Sequence, residues 1–291
     1  MNLAIPPVLR SNIRFLLGGE DAGDAWLSDA STLAGQLAGS WGVTPVRVLE
    51  GGAMSLCIQC RDPAGAARVL KIPSSAGNGR AETAALSAWN NGATPRVIRH
   101  DSATGSFLME FVQPAEPANG ARHISRLLAR LHIDQDGLPF PDLEVALQDR
   151  IGGARTRFAG ACHTAERRDV ETAAPLLAAL ARTTEEPTVV HGDFQAKNVL
   201  AGPEGPVAID PLPAVGDPLS DTALWIAGGS AGPRAEALRE FASGADASRL
   251  LAWTWALTAV EYRPGTSTAA DAAAFIGEHR QAAIAALSVA A

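Results

Sequence analysis

The sequence predicts an α+β chain in two parts: a small antiparallel sheet with one inserted helix, then a longer, mostly helical part. Three observations lead there. Between residues 43 and 111, short runs rich in Val, Ile, Leu and Phe alternate with turn sequences such as GG, DPAG and DSATG. A proline-rich link, QPAEPANG, follows at 113–120. From Ala121 onward, apolar residues recur at helical rather than strand spacing. The expected parts are residues 1–111 and 112–291, and 291 residues are enough for two cores.

The elements follow in order. Residues 1–43 read as a helical leader, strongest from Asp24 to Leu37, where Trp26, Leu27, Leu33 and Leu37 share helical spacing with Trp41. VTPVRVLEGG, MSLCIQC and ARVLKIP then read as a meander of three antiparallel strands, with a turn at RDPAG. SSAGNG at 74–79 is expected to be a loop, and Glu82 to Trp89 a helix. Residues 93–112 supply two more strands about DSATG. In the second part, Ile124, Leu127, Leu128 and Leu131 give HISRLLARLHID an apolar face. ETAAPLLAALARTTEE is helical, with Pro175 at its start or kinking it. TVVHGD and PVAIDP read as two short strands, and LSDTALWIAGG, 233–247, 249–262 and 267–289 as helices.

Composition excludes several classes. Apolar residues make up 47% and charged residues 19%, the mark of a folded chain rather than a disordered one. A net charge of −7 with no Lys/Arg-rich block argues against nucleic acid as a partner. No run approaches the roughly 20 apolar residues of a membrane span, and MNLAIPPVLRSN lacks the features of a signal peptide. Cys57 and Cys60 have CxxC spacing but would face opposite sides of one strand, so buried free thiols are expected. With Cys162 the cysteine count is odd, which fits a reducing compartment, and a cytoplasmic protein is expected. Neither GxGxxG nor GxxxxGK[ST] occurs, so dinucleotide-fold and P-loop classes do not fit.

Most of the chemistry lies in HGDFQAKNVLAGPEGPVAIDP at 191–211. Asp193, Asn198 and Asp210 suit a site that holds a divalent cation and places a carboxylate beside a hydroxyl, because Mg²⁺ requires oxygen ligands. Capping of turns explains one such residue well and three poorly. Asp193 is the candidate base, accepting or orienting the acceptor proton; Asn198 and Asp210 are the candidate metal ligands. His191 reads as a structural residue tying down its loop. Asp217 and Asp221 read the same way, Asp221 as an acceptor for backbone N–H groups at 191–193. Lys71, in the apolar strand RVLKIP, either contacts nucleotide phosphates or points to solvent. Glu82 either pairs with it or is a first-turn carboxylate. The turn Gly51–Ser55, with Gly52 and Ser55 as candidate phosphate contacts, is alternatively a plain hairpin turn.

Together these residues resemble the aminoglycoside phosphotransferase family, whose bilobal fold is like that of eukaryotic protein kinases. The resemblance runs from about Val46 to the last helices. It rests on Lys71 in VLKIP, Glu82 in AETAALSAW, HGDFQAKN, ARLH at 129–132, and IDPLPAVGDP. It implies an ATP- and Mg²⁺-dependent kinase acting on a hydroxyl of a small molecule. Lys71 and Glu82 would serve the nucleotide phosphates. Backbone groups from Glu110 to Val112 in FLMEFV would serve adenine. VLEGGAMSL, LKIP and IDPLPAVGDPLSD look most like the branch acting on streptomycin or hydroxyurea. A cationic antibiotic would be read by carboxylates such as Asp142, Glu144, Asp217, Glu261 or Asp271. A monomer or weak dimer is expected. Two residues depart from the family pattern. Gln195 stands where many relatives have His. Lys197 stands where relatives often have Gly, and it either neutralises phosphate or projects to solvent.

Overall fold

The computed structural model describes residues 4–50, 54–114, 116, 118, 120–134, 137–230, 232–242 and 246–288. The chain divides into two compact units, Met1–Gln113 and Pro114–Ala291.

The first unit begins with α1 (Pro7–Leu16) and α2 (Glu20–Trp41). Gly42 ends α2 in the left-handed conformation at φ 69°, and its N–H donates back to the helix. Strands β1 (Thr44–Val48), β2 (Ser55–Arg61), β3 (Ala67–Pro73), β4 (Val97–Asp101) and β5 (Ser106–Glu110) form one antiparallel sheet in the order β1-β2-β3-β5-β4. Strand alternation sorts β3 cleanly. Leu70 and Ile72 join Leu56, Ile58 and Leu108 against Leu27, Ala34 and Leu37 of α2. Val69 packs with Phe107 and Met109 in a separate cluster with Leu86. Lys71 is two residues on from Val69 and therefore shares that second face. The two strand cysteines separate in the same way: Cys60 lies in the first cluster and Cys57 packs against the second. Neither is in a disulfide, and burial pushes the Cys60 thiol up to about 11.

Helix α3 (Ala76–Ala88) corrects one expectation. SSAGNG is not a loop; its last four residues are the first turn of this helix. The glycines permit close approach, not flexibility. A Cβ on Gly79 would lie 2.2 Å from the Gly105 carbonyl oxygen, and one on Gly105 would lie 2.5 Å from that of Ala76. The early start puts Glu82 in the second turn, where it is buried, so it is not a first-turn carboxylate. Gly79→Ala is therefore expected to reverse the usual sign. An alanine normally stabilises a helix interior by about 1 kcal/mol; here overpacking should cost about 2 kcal/mol. Denaturant unfolding measures this, and a stabilised variant would refute the close packing.

The second unit is mostly helical. Its helices are α4 (Ala121–Leu131), α5 (Leu143–Arg157), α6 (Thr164–Arg182), α7 (Leu219–Ala227), α8 (Arg234–Phe241), α9 (Ala247–Glu261) and α10 (Ala269–Ser288). Helix α9 is buried on every side from Ala252 to Val260 and forms the centre of the core with α6, α7 and α10. Pro175 lies inside α6, neither starting nor ending it.

The two expected strands, β6 (Thr188–Val190) and β8 (Gly205–Ala208), do not pair with each other. Each has a partner that the sequence reading misses: β9 (Ala214–Gly216) pairs with β6, and β7 (Val199–Gly202) with β8. No helix of the described residues is long and apolar enough to cross a membrane.

Candidate active site

In the first unit, the alternation of β3 aims Lys71 at α3. Its Nζ lies 2.7 Å from Glu82 Oε1, and both side chains are buried. The ammonium also sits 5.9 Å from the centre of the Phe107 ring. A buried lysine keeps its charge only with such a partner, so Lys71 does not point to solvent. Ser55 is buried at the start of β2, opposite Pro73. Gly52 lies outside the described residues. At the end of β5, the Glu110 N–H donates to the Arg96 carbonyl, and its carboxylate meets the Arg96 guanidinium at 3.0 Å. That amide is already used, which leaves the Glu110 carbonyl and Val112 as candidates for adenine.

In the second unit, the loop after β6 is fixed from three directions. Asp221, buried in the first turn of α7, accepts the N–H of His191 at 2.7 Å and of Gly192 at 2.9 Å. It also accepts His132 Nε2 at 3.2 Å, so that ring nitrogen carries the proton. Burial opposes the Asp221 charge, but His132 and the loop outweigh it and hold its carboxyl below the usual carboxylate range. Gly192 has φ 74°, and a Cβ there would lie 1.9 Å from the Leu212 carbonyl oxygen. The His191 ring is fully buried. Its Nδ1 accepts the Asp193 N–H at 3.3 Å and its Nε2 donates to the Ile209 carbonyl at 3.1 Å. Burial lowers its pKa, which suits a neutral ring that ties the loop to the end of β8.

The loop delivers Asp193 into a set of four donors. Oδ1 accepts Arg150 Nη2 at 2.9 Å and Gln195 Nε2 at 2.6 Å. Oδ2 accepts Asn198 Nδ2 at 2.8 Å and meets Lys197 Nζ at 3.0 Å. Burial alone would raise this carboxyl's pKa, but Arg150 and Lys197 more than offset that and hold it well below the usual carboxylate range. Asp193 is thus a firmly ionised acceptor of hydrogen bonds.

Arg150 is a site residue that sequence reasoning misses. It approaches from α5, where its Nη2 also bonds the Gly192 carbonyl and its Nη1 lies 2.6 Å from Glu261 Oε1. The sequence signal is weak: nothing in the local pattern singles out α5, and Arg150 is 43 residues from Asp193.

Asn198 and Asp210 are brought together by the β7–β8 hairpin. Val199 pairs with Ala208, and the Ile209 N–H donates to the Asn198 carbonyl at 2.9 Å. Asn198 and Ile209 lie just outside that pair, and Asp210 is the next residue along. Asn198 Nδ2 takes both the Asp193 carbonyl and its Oδ2, each at 2.8 Å, which leaves Oδ1 available to a cation. Asp210 has φ 58°, the one non-glycine residue at positive φ among the described residues. Such backbone strain concentrates at functional positions. No group of three or more His, Cys, Asp or Glu side chains is set to hold a metal among the described residues. Two oxygen ligands nevertheless suit Mg²⁺, which usually keeps waters and takes phosphates for the rest of its shell.

The family model for aminoglycoside/hydroxyurea antibiotic resistance kinases matches residues 40–262, spanning both units. The chain belongs to that family. This kinase is 28% identical over 221 residues to streptomycin 6-kinase of Streptomyces griseus, covering 72% of this chain and 69% of that one. It is 32% identical over 221 residues to hydroxyurea phosphotransferase of Kitasatospora aureofaciens, covering 69% and 62%. Its fold resembles a choline/ethanolamine kinase family protein from Mesorhizobium loti: TM-score 0.57, 17% identity, 84% and 92% of the chains covered. It also resembles a thermostable aminoglycoside phosphotransferase mutant in ternary complex with ADP and hygromycin B: TM-score 0.55, 15% identity, 87% and 96% covered. The kinase therefore has the protein-kinase-like fold of the phosphotransferases, an antiparallel-sheet lobe and a mostly helical lobe, and it transfers phosphoryl from ATP to a hydroxyl.

The carboxylates expected to read a cationic acceptor are mostly occupied. Glu144 pairs with Arg182, Glu261 with Arg150, and Asp271 with Arg234. Asp217 is buried and accepts Arg249 Nε at 2.6 Å and Trp253 Nε1 at 2.7 Å, which makes it a structural residue.

Proposed function

We propose that this kinase phosphorylates a hydroxyl of a small antibiotic, with an aminoglycoside such as streptomycin as the first acceptor to test, and so inactivates it. The observation that carries the chemistry is the four-donor cage around Asp193, one residue of which, Asn198, accepts the N–H of Ile209, the residue before Asp210. In this reading Asp193 orients the acceptor hydroxyl and receives its proton. Lys71, held by Glu82, contacts the nucleotide phosphates, with the turn at Gly52 and Ser55 as a further phosphate contact. The Glu110 carbonyl and the Val112 N–H serve adenine. Asn198 Oδ1 and the Asp210 carboxylate hold Mg²⁺, which when bound neutralises charge on the phosphate oxygens.

The pairing of Glu144, Glu261 and Asp271 with arginines, and the presence of Arg150 at Asp193, favour a second reading. A small uncharged acceptor such as hydroxyurea needs no free carboxylate to read it, whereas a polycation does. A third reading is a metabolic kinase for a sugar or amino alcohol.

ADP release from Mg²⁺ and ATP, measured across streptomycin, hydroxyurea, sugars and amino alcohols, separates these readings. Streptomycin turnover supports the first, hydroxyurea turnover the second, and turnover of a sugar or amino alcohol alone the third. Nucleotide binding with no turnover on any of these acceptors would sink all three acceptor readings.

A further inference from the structure

A carboxylate offers about four lone-pair sites. At Asp193 all are used, by Arg150 and Gln195 on Oδ1 and by Asn198 and Lys197 on Oδ2. An acceptor hydroxyl can reach this carboxylate only if one donor leaves.

The four donors differ in what else restrains them. Arg150 is held by Glu261 and the Gly192 carbonyl, with its side chain 16% exposed. Asn198 is buried and bonds the Asp193 carbonyl as well. Gln195 is half-buried at 2.6 Å, and its departure would bring no charge to the reaction. Lys197 is 58% exposed, at the end of a flexible four-carbon stem, with Asp193 as its ion-pair partner. An ion pair whose cation lies in solvent is weakly held, so Lys197 is the donor most readily displaced. Its backbone is adjacent to that of Asn198, so a displaced ammonium stays beside the metal-binding end of the hairpin.

We propose that Lys197 is a catalytic residue that caps Asp193 at rest, leaves Oδ2 when the acceptor hydroxyl arrives, and then pairs with an oxygen of the transferring phosphoryl group. This rests on the kinase reading of the site. In the step itself, an oxygen lone pair of the acceptor forms the new O–P bond to the γ-phosphorus. The bond from that phosphorus to the β–γ bridging oxygen breaks, and its electron pair leaves with ADP. The acceptor proton passes to Asp193 Oδ2, the position Lys197 vacated, and from there to solvent. Arg150 stays throughout and keeps Asp193 oriented. A cation moving from base to phosphoryl places positive charge where the loose transition state spreads negative charge.

Binding of ADP with Mg²⁺, with and without aluminium fluoride as a phosphoryl mimic, tests this without needing the natural acceptor. The wild-type protein is expected to bind ADP more tightly when fluoroaluminate is present. Lys197→Met should lose about tenfold to a hundredfold of that gain, with affinity for ADP alone kept within about twofold. Lys197→Arg should retain most of it. A Lys197→Met protein with the full gain, or a wild-type protein with none, overturns the proposal. A wild-type protein that binds no ADP sinks the kinase reading itself, which is a separate result.

Discussion

Asp193→Asn is expected to lower kcat by about 10³-fold while leaving nucleotide affinity within about twofold. The substitution keeps the size and removes the charge. Arg150 retains Glu261 and the Gly192 carbonyl, so the cage is expected to stay assembled around a neutral side chain. What disappears is the negative acceptor that aligns the incoming hydroxyl and takes its proton. Because Arg150 and Lys197 hold the Asp193 carboxyl far below the usual range, it is a weak base. Its contribution is then chiefly alignment until the O–P bond is well formed, when the acceptor proton becomes acidic enough to move. The acid limb of the kcat/KM profile, which reports the free enzyme, should accordingly show no titration near an ordinary carboxylate value of about 4. Steady-state kinetics with whichever acceptor turns over, paired with nucleotide titration, measures both. A variant within tenfold of wild type would remove Asp193 from the chemistry.

The sheet is legible in the sequence because its pattern is carried by whole runs. Leu70 and Ile72 alternate with Val69 and Lys71, and each set goes to its own face. Start signals are harder to read. Gly77 and Gly79 look like loop residues, yet they are helical because α3 passes so close to Gly105 that a side chain at 79 would not fit. That constraint is tertiary and leaves no local trace. Strands β7 and β9, VLAG and AVG, are as short as their partners β8 and β6 and are defined by pairing with them rather than by a pattern of their own. At the site, the candidate base and metal ligands all lie within one continuous stretch, so spacing alone suggests a common role. Arg150 is invisible for the opposite reason: it reaches the loop from α5, and nothing in its own neighbourhood marks it. His132, at the end of α4, is marked only as part of ARLH, with no role attached to it. Lys197 stands out in the sequence as unusual, but only its 3.0 Å approach to Asp193 distinguishes a working cation from a solvated one.

Asp221→Ala is expected to be the most damaging single change to the fold of the second unit. It costs about 3–5 kcal/mol, or a fall in Tm of roughly 10 °C. The carboxylate is fully enclosed and serves three donors, the N–H groups of His191 and Gly192 and the ring of His132. Alanine leaves all three buried without an acceptor. Asp221→Asn should cost roughly half as much, because its oxygen can serve one N–H while its amide nitrogen opposes another. The dependence on pH follows from the direction of the shift. The folded-state pKa of Asp221 lies below its unfolded value, so the stabilisation is fully present above the unfolded value of about 3.9. It is lost as pH falls through the folded value. Asp193 acts in the same direction. Between pH 5 and 3 the wild-type protein should therefore lose stability more steeply than Asp221→Ala, and the difference between them should narrow. Parallel curves for the two proteins would mean that Asp221 is not the ionised anchor of the loop. In that case the position of Asp193 would have to be maintained by His191, Arg150 and Asn198.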